Sequence, residues 1–143
     1  MLICDTSGLL AYFDASDRYN APVVAAIDAD PGPFVVSPYI LAELDYLLAT
    51  RRGVAAELAA LDELSAGAWD LATLDISDLA QARALIARYR GQAIGLADAS
   101  LVVLATRYRT NRLLTLDRRH FAVVPTLTGG PFDLVPPVSP TAG

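Results

Sequence analysis

The strongest constraint on the fold of this chain is a series of short apolar segments separated by longer segments with helical spacing. The apolar segments cover residues 2–4, 34–36, 68–74 and 112–116, and residues 132–135 would make a fifth. Between them, apolar residues recur every three or four positions and capping residues or proline stand near the starts, as in helices. Short strands that are apolar on both faces are typical of a parallel sheet covered by helices. The sequence therefore predicts a three-layer α/β/α fold around a central parallel sheet of four to five strands.

The length of 143 residues suits one domain, which we place at residues 1–135, with a frayed tail at 136–143. A hydrophobic fraction of 54% excludes intrinsic disorder. The longest stretches without a charged side chain have 12 and 13 residues and contain proline, whereas roughly 18 apolar residues are needed to span a bilayer. The amino terminus has no basic region before its first apolar run and does not resemble a secretory signal. We therefore expect a cytoplasmic protein with no membrane partner.

The chain contains no lysine, and all 11 of its basic residues are arginine. A Walker-type phosphate loop and a Schiff-base enzyme are excluded, because both need a lysine amine. One cysteine and one histidine are too few for an ordinary structural zinc site or for a pair of catalytic histidines. Neither a GxGxxG loop nor a GxSxG elbow is present. Carboxylate is the abundant group that remains for chemistry.

The arginines are concentrated in one part of the sequence. Residues 81–120 contain eight arginines and two acids, a net charge of +6, whereas the other 103 residues carry −11. An overall charge of −5 argues against a nucleic-acid partner, but the clustering favours an anionic one.

Four acids stand where they could share a site. Asp5 and Asp117 directly follow the first and fourth predicted strands, and the carboxyl ends of parallel strands meet at one edge of the sheet. Glu43 and Asp98 lie on predicted helices with apolar neighbours three and four positions away, and a buried carboxylate must be paired or bind a metal. Asp45 is similarly surrounded, but two positions turn a helix by about 200°, so Asp45 cannot face the same site as Glu43. Such a cluster suits Mg²⁺ or Mn²⁺ and the hydrolysis of phosphodiesters.

The four acids and their surroundings resemble the PIN-domain nucleases. The resemblance rests on Leu2-Ile3-Cys4-Asp5-Thr6-Ser7, on Ser37 through Glu43-Leu44, on Leu96-Ala97-Asp98 and on Leu114-Thr115-Leu116-Asp117. In size and order of elements the chain is similar to the VapC toxins of bacterial type II toxin–antitoxin systems, which are magnesium-dependent endoribonucleases acting on transfer RNA or a ribosomal RNA loop.

The resemblance implies a role for each matching residue. Asp5, Glu43, Asp98 and Asp117 would surround Mg²⁺, for which Mn²⁺ could substitute, with Asp5 and Asp98 as the strongest ligand candidates. The hydroxyls of Thr6 and Thr115 would support the acids or a metal-bound water. Arg118 and Arg119 would contact RNA phosphates. Val102 stands where the family often has a further acid, so four acids are expected here.

The resemblance also implies partners. VapC toxins form homodimers and are inhibited by a cognate antitoxin that lies over a groove beside the active site. We expect that contact near the apolar helices at residues 39–49 and 54–64.

Three other classes compete with this interpretation. A haloacid-dehalogenase phosphatase also has an aspartate after its first strand, but it normally needs a second aspartate two positions later, where this chain has Ser7, and a lysine. A response-regulator receiver fails for lack of the lysine. A catalytically silent PIN-like binding domain is disfavoured by the presence of all four acids.

Overall fold

A computed structural model describes residues 1–137 and confirms the predicted α/β architecture. Its strands, helices and one 3₁₀ helix follow each other in this order: β1 Leu2–Cys4, α1 Thr6–Phe13, α2 Asn20–Asp28, β2 Phe34–Val36, α3 Pro38–Arg52, α4 Val54–Ser65, β3 Asp70–Leu71, α5 Ile76–Arg88, the 3₁₀ helix Arg90–Gln92, α6 Leu96–Arg107, β4 Arg112–Leu114, α7 Arg118–Val123 and β5 Asp133–Val135.

The five strands form one parallel sheet in the order β3-β2-β1-β4-β5. Ile3 of β1 is opposite Val35 on one side and Leu113 on the other. Because parallel crossover connections are almost always right-handed, α1 to α4 cover one face of the sheet and α5 to α7 cover the other. Both faces are therefore buried, which explains why the strands are continuously apolar.

The central strands and the helices packed on them form the core. Every residue of β1 is buried, as are Val35 and Val36 of β2 and Leu113 and Leu114 of β4. Cys4 is completely buried, and this burial raises the pKa of its thiol, so Cys4 packs as a small apolar residue. Trp69 also lies in the core, packed edge-on against Tyr12.

The structure corrects several predicted boundaries. The third strand is limited to β3, because this edge strand pairs only with β2 and the chain then turns so that Asp75 caps α5. The fourth strand ends at Leu114, two residues early, and the Leu116 N–H donates to the Ser7 hydroxyl instead of to a neighbouring strand. The helix α7 and the 3₁₀ helix were not predicted. The side-chain amide of Asn20, at the start of α2, donates to carbonyls at the end of α1.

Two further predictions concern the ends of the molecule and the membrane. Pro136 is buried and its carbonyl accepts a hydrogen bond from Arg118, while the remainder of the predicted tail, from residue 138 onward, lies outside the described residues. None of the helices in residues 1–137 has the length and apolar character that crossing a membrane requires.

Candidate active site

The predicted site lies at the carboxyl edge of the sheet, between β1 and β4. The chain leaves β1 toward β2 on one side and later returns to β4 on the other, which makes this point the topological switch of the sheet. Asp5 and Asp117 follow these two strands, and the backbone N–H of Asp5 donates to the carbonyl of Leu114 at 2.9 Å. The sheet thus brings the first and last of the four acids to the same edge, as their positions in the sequence predicted.

The Asp5 carboxylate is buried and held by three hydrogen bonds. Its Oδ1 accepts from the Thr6 N–H at 2.7 Å, so that Asp5 is the N-cap of α1. Its Oδ2 accepts from the hydroxyls of Thr115, at 2.7 Å, and Ser7, at 3.1 Å. The orientation of the carboxylate is therefore fixed by groups at the start of α1 and by the residue that follows β4.

Ser7 is the residue of this site that sequence reasoning missed. Its hydroxyl donates to Asp5 and accepts from the Leu116 N–H at 2.9 Å, and its oxygen is 3.2 Å from that of Thr115. The resemblance to the PIN-domain nucleases suggested Thr6 instead. The available signal was the spacing: a serine two positions after an N-cap aspartate lies in the first helical turn, where its side chain can return to the capping residue.

Asp98 lies in the first turn of α6 and is half-buried. Its Oδ2 accepts from the Gly95 N–H at 3.2 Å. Two residues later, the buried hydroxyl of Ser100 is 2.7 Å from that of Ser37, which caps α3 at the end of β2. This hydroxyl pair ties the start of α6 to the same edge of the sheet that carries Asp5.

Glu43 lies on α3 and is exposed, so the expectation that its apolar neighbours bury it was wrong. The residues of α3 that face the core are Ile40, Leu44 and Leu48, and Glu43 lies on the solvent side of the helix. Its charge nevertheless raises the pKa of Asp98, so the two carboxylates are within electrostatic range. Asp45 points elsewhere, and its hydrogen bond with Glu57 of α4 raises the pKa of Glu57.

The electrostatics of the cluster centre on Asp98. Burial raises the pKa of Asp5 to about 6. The hydrogen bonds that its carboxylate accepts lower this pKa, and the charge of Asp98 raises it. The pKa of Asp98 is raised by burial, and the charges of Glu43 and Asp117 add to this effect against the hydrogen bond from Gly95 and the charge of His120. All three other acids thus interact with Asp98, and the site accumulates negative charge that a cation would relieve.

Asp117 is the N-cap residue of the short helix α7. Its N–H donates to the Thr115 hydroxyl at 2.9 Å, and its Oδ2 is 3.0 Å from Nδ1 of His120. The Thr115 hydroxyl therefore contacts both strand-end acids. His120 lies one helical turn beyond Asp117, close enough for its charge to lower the pKa of Asp98.

The two arginines that follow Asp117 have different surroundings. Arg118 is half-buried and its guanidinium donates to the carbonyl of Pro136 at 2.5 Å, while its Nε is buried without a hydrogen-bond partner in residues 1–137. Arg119 is exposed. Arg118 thus contacts the end of the described chain, and Arg119 is accessible to a ligand.

The donor set fits a hard cation such as Mg²⁺. In residues 1–137, no three histidine, cysteine or acidic side chains lie close enough together to hold a metal ion between them. Mg²⁺ usually takes one or two carboxylates and keeps several waters, so Asp5 and Asp98 are a sufficient protein contribution. The buried hydroxyl of Thr6 has no hydrogen-bond partner in the described part of the chain, which leaves it available to a bound water.

Comparison with known proteins agrees with this architecture. Residues 2–127 match the family model of the PIN domain. Ribonuclease VapC26 of Mycobacterium tuberculosis is 53% identical to the chain over 135 residues, covering 94% of this chain and 100% of that protein.

Solved structures with low sequence identity share the fold. The sarcin-ricin loop cleaving toxin VapC20 of M. tuberculosis superposes with a TM-score of 0.79 at 20% identity, covering 85% of this chain and 94% of that one. A toxin–antitoxin complex from Klebsiella pneumoniae gives 0.68 at 21% identity, with 88% and 94% covered. FitAcB from Neisseria gonorrhoeae gives 0.61 at 19% identity, with 93% and 97% covered.

Proposed function

Since this chain is a member of the PIN domain family, we propose that it is a Mg²⁺-dependent endoribonuclease and the toxin of a type II toxin–antitoxin system. The observation that carries the proposal is that the buried, firmly hydrogen-bonded carboxylate of Asp5 lies at the switch point of the sheet, within electrostatic range of Asp98. The 53% identity to a protein named as a ribonuclease supports the same activity. Residues 1–135 would form the single nuclease domain.

In this proposal Asp5 and Asp98 bind the metal directly, and Glu43 and Asp117 complete the negative site. A bound Mg²⁺ would supply a water of lowered pKa as nucleophile and would stabilise the leaving oxygen. Ser7 and Thr115 hold the Asp5 carboxylate in one orientation, and the Ser37–Ser100 pair holds the start of α6, which carries Asp98, at the same edge of the sheet. Thr6 offers its free hydroxyl to a bound water, and Arg119 offers a cation to phosphate.

The substrate in this proposal is transfer RNA or a ribosomal RNA loop, which would place the activity in the cytoplasm.

The experiment incubates the purified protein with total bacterial RNA, with Mg²⁺ or with a chelator, and maps new RNA ends by sequencing. Asp98→Asn should abolish the discrete cuts. The control is Asp45→Asn, which removes a carboxylate of α3 outside the cluster and should retain the cuts. Cuts by Asp98→Asn would refute the metal site. A folded wild type that binds metal but cuts no RNA would favour a silent binding domain or a phosphatase.

The proposed partners are an antitoxin and a second copy of the chain. The hairpin of α3 and α4 exposes large apolar side chains: Tyr46 is 67% exposed, Val54 65% and Leu58 54%. Exposed apolar residues this close together favour a protein contact, and their position agrees with the surface expected for the antitoxin. Hydrogen–deuterium exchange on a complex with a candidate antitoxin should show protection of α3 and α4, and light scattering of the free protein should give the mass of a dimer.

A further inference from the structure

A groove on α5 combines two arginines with an apolar floor. It is lined by Arg83, Ile86, Ala87, Arg90 and Ile94 and has a volume of about 370 Å³. The first four of these residues are spaced by three, one and three positions, so they lie on one side of α5 and the turn that follows it. Ile94 adjoins Gly95, whose N–H donates to Asp98. The groove therefore extends along α5 to the start of α6, where the candidate metal site lies.

Both arginines of the groove are exposed, and neither pairs with a carboxylate within residues 1–137. This distinguishes them from Arg107, which pairs with Asp78, and from Arg112, which pairs with Asp30. They belong to the segment of residues 81–120 that carries a net charge of +6 in an otherwise acidic chain. Their charge is therefore available to an anionic ligand.

The spacing of the two cations favours a polymeric anion. Positions 83 and 90 are seven residues apart, which is about 10 Å along a helix, so the two side chains leave the backbone at well-separated points along the groove. Between them the floor is made of Ile86 and Ala87, both half-buried. A ligand that alternates phosphates with less polar sugars and bases matches this order of surfaces.

We propose that this groove binds the backbone of a single RNA strand next to the carboxylate site, with Arg83 and Arg90 on two different phosphates. The inference rests on the proposed function and extends it by naming the path of the substrate. Guanidinium groups bind phosphate through paired N–H donors, and the apolar floor accepts ribose and base. Substrate contacts thus come from α5 as well as from the segment after β4 that the sequence suggested.

The test measures binding separately from cleavage. Fluorescein-labelled polyuridylate is titrated, in chelator, with wild type, with the double variant Arg83→Gln/Arg90→Gln, and with Arg51→Gln/Arg88→Gln. The second pair has the same change in net charge, and its residues are exposed and outside the groove. Loss of two phosphate contacts should weaken binding roughly 10- to 30-fold near 0.1 M salt and lower the salt slope by about 1.4, whereas the control pair should change little. Cleavage of total RNA and thermal unfolding are measured on all three proteins.

The outcomes separate the groove from the function. If wild type cuts RNA but both pairs of variants bind polyuridylate equally well, the groove is refuted and the ribonuclease stands. If wild type binds polyuridylate without cutting RNA, and the Arg83→Gln/Arg90→Gln variant binds it more weakly, the groove stands and the ribonuclease is refuted. A labelled polyglutamate is titrated in the same way as a non-nucleic polyanion. If wild type binds no polyuridylate, or if the Arg83→Gln/Arg90→Gln variant loses more affinity for polyglutamate than for polyuridylate, the RNA path is refuted.

A crosslink gives the position directly. Cys4 is the chain's single cysteine and is completely buried, so Ala87→Cys can be labelled selectively with a photoreactive aryl azide. We expect it to crosslink polyuridylate at least tenfold more than the same label on Arg51→Cys. Equal crosslinking from both positions would contradict the proposed path.

Discussion

The hydroxyl of Thr115 donates a hydrogen bond of 2.7 Å to Oδ2 of Asp5, joining two residues 110 positions apart in the sequence. The same oxygen accepts from the N–H of Asp117. One buried hydroxyl therefore positions the acids at the ends of two neighbouring strands. It also stabilises the charged form of Asp5, whose pKa of about 6 would otherwise be higher still.

Replacing this hydroxyl should change the pH dependence of metal binding. Metal binds the deprotonated carboxylate, so its affinity rises with pH as Asp5 loses its proton. Thr115→Val removes a hydrogen bond to the charged form, raises the pKa of Asp5 and moves that rise to higher pH, with a loss of metal affinity of about tenfold. Mn²⁺ titrations at a series of pH values around 6 check this. Thr115→Ser keeps the hydroxyl and should follow wild type; an unshifted profile for Thr115→Val would contradict the role given to the hydrogen bond.

Asp98→Asn should stabilise the metal-free protein while it abolishes cleavage. Asp98 is half-buried near three other acids, and a raised folded-state pKa means that its charge destabilises the fold at neutral pH. The amide keeps an oxygen that can accept from Gly95 and removes the repulsion, so we expect a gain of about 1 kcal/mol in the free energy of unfolding. The gain should shrink as the pH falls and Asp98 is protonated in the wild type.

Denaturant unfolding in chelator, at neutral and mildly acidic pH, measures this difference. Added Mg²⁺ should stabilise the wild type and leave Asp98→Asn unchanged, because only the wild type binds it through Asp98. A variant that is less stable than wild type at neutral pH would show that Asp98 has mainly a structural role.

Gly8 is expected to tolerate no side chain. It lies in α1 against β4, and a Cβ built on it would be 2.8 Å from Cγ of Leu114 and 3.0 Å from the Leu114 carbonyl oxygen. Gly8→Ala should therefore separate α1 from β4 and cost about 1–3 kcal/mol, despite the higher helix propensity of alanine. Because α1 carries Asp5 and Ser7, activity should fall as well. Gly91→Ala is the control, since a Cβ there meets nothing within 4 Å, and chemical denaturation compares the two.

The central part of the fold and the edge that carries the acids could be predicted because the information is local. The first four predicted strands each end directly before an acid or a capping residue, and the order of strands and helices placed Asp5 and Asp117 at one edge of the sheet. The predicted strand at 68–74 was too long, because the extent of β3 depends on its register with β2, which local propensity does not contain. The helix α7 was missed because it is only six residues long and its capping residue, Asp117, was interpreted as a site residue alone.

Side-chain surroundings were harder to predict than backbone. Helical spacing could not distinguish which side of α3 faces the core, so Glu43 was expected among apolar neighbours and is exposed instead. The role of Ser7 depends on Thr115 and Leu116, which are more than 100 positions away. The contact of Arg118 with the Pro136 carbonyl likewise follows from tertiary structure. The sequence does not reveal these features, because they depend on contacts between segments that are distant along the chain.

Asp30 should make the stability of the protein sensitive to acid at the edge of the sheet opposite the site. Its buried carboxylate accepts hydrogen bonds from the Gly32 N–H at 2.8 Å and the Met1 amino group at 2.6 Å, and it pairs with Arg112 at the start of β4. Burial alone would raise its pKa, but these hydrogen bonds and the two positive charges lower it overall. Asp30→Asn should cost about 2 kcal/mol at neutral pH.

The lowered pKa fixes the pH range of this effect. A carboxyl group with a depressed folded-state pKa stabilises the fold above its unfolded pKa of about 4 and loses that contribution as the pH falls further. The difference between wild type and Asp30→Asn should therefore be full at neutral pH and vanish in strong acid. Asp133→Asn is the matched control: its carboxylate is 3.7 Å from the same Arg112 but is mostly exposed, so it should cost less than about 0.5 kcal/mol. Equal losses for both variants at neutral pH would show that burial of Asp30 adds nothing to its ion pair.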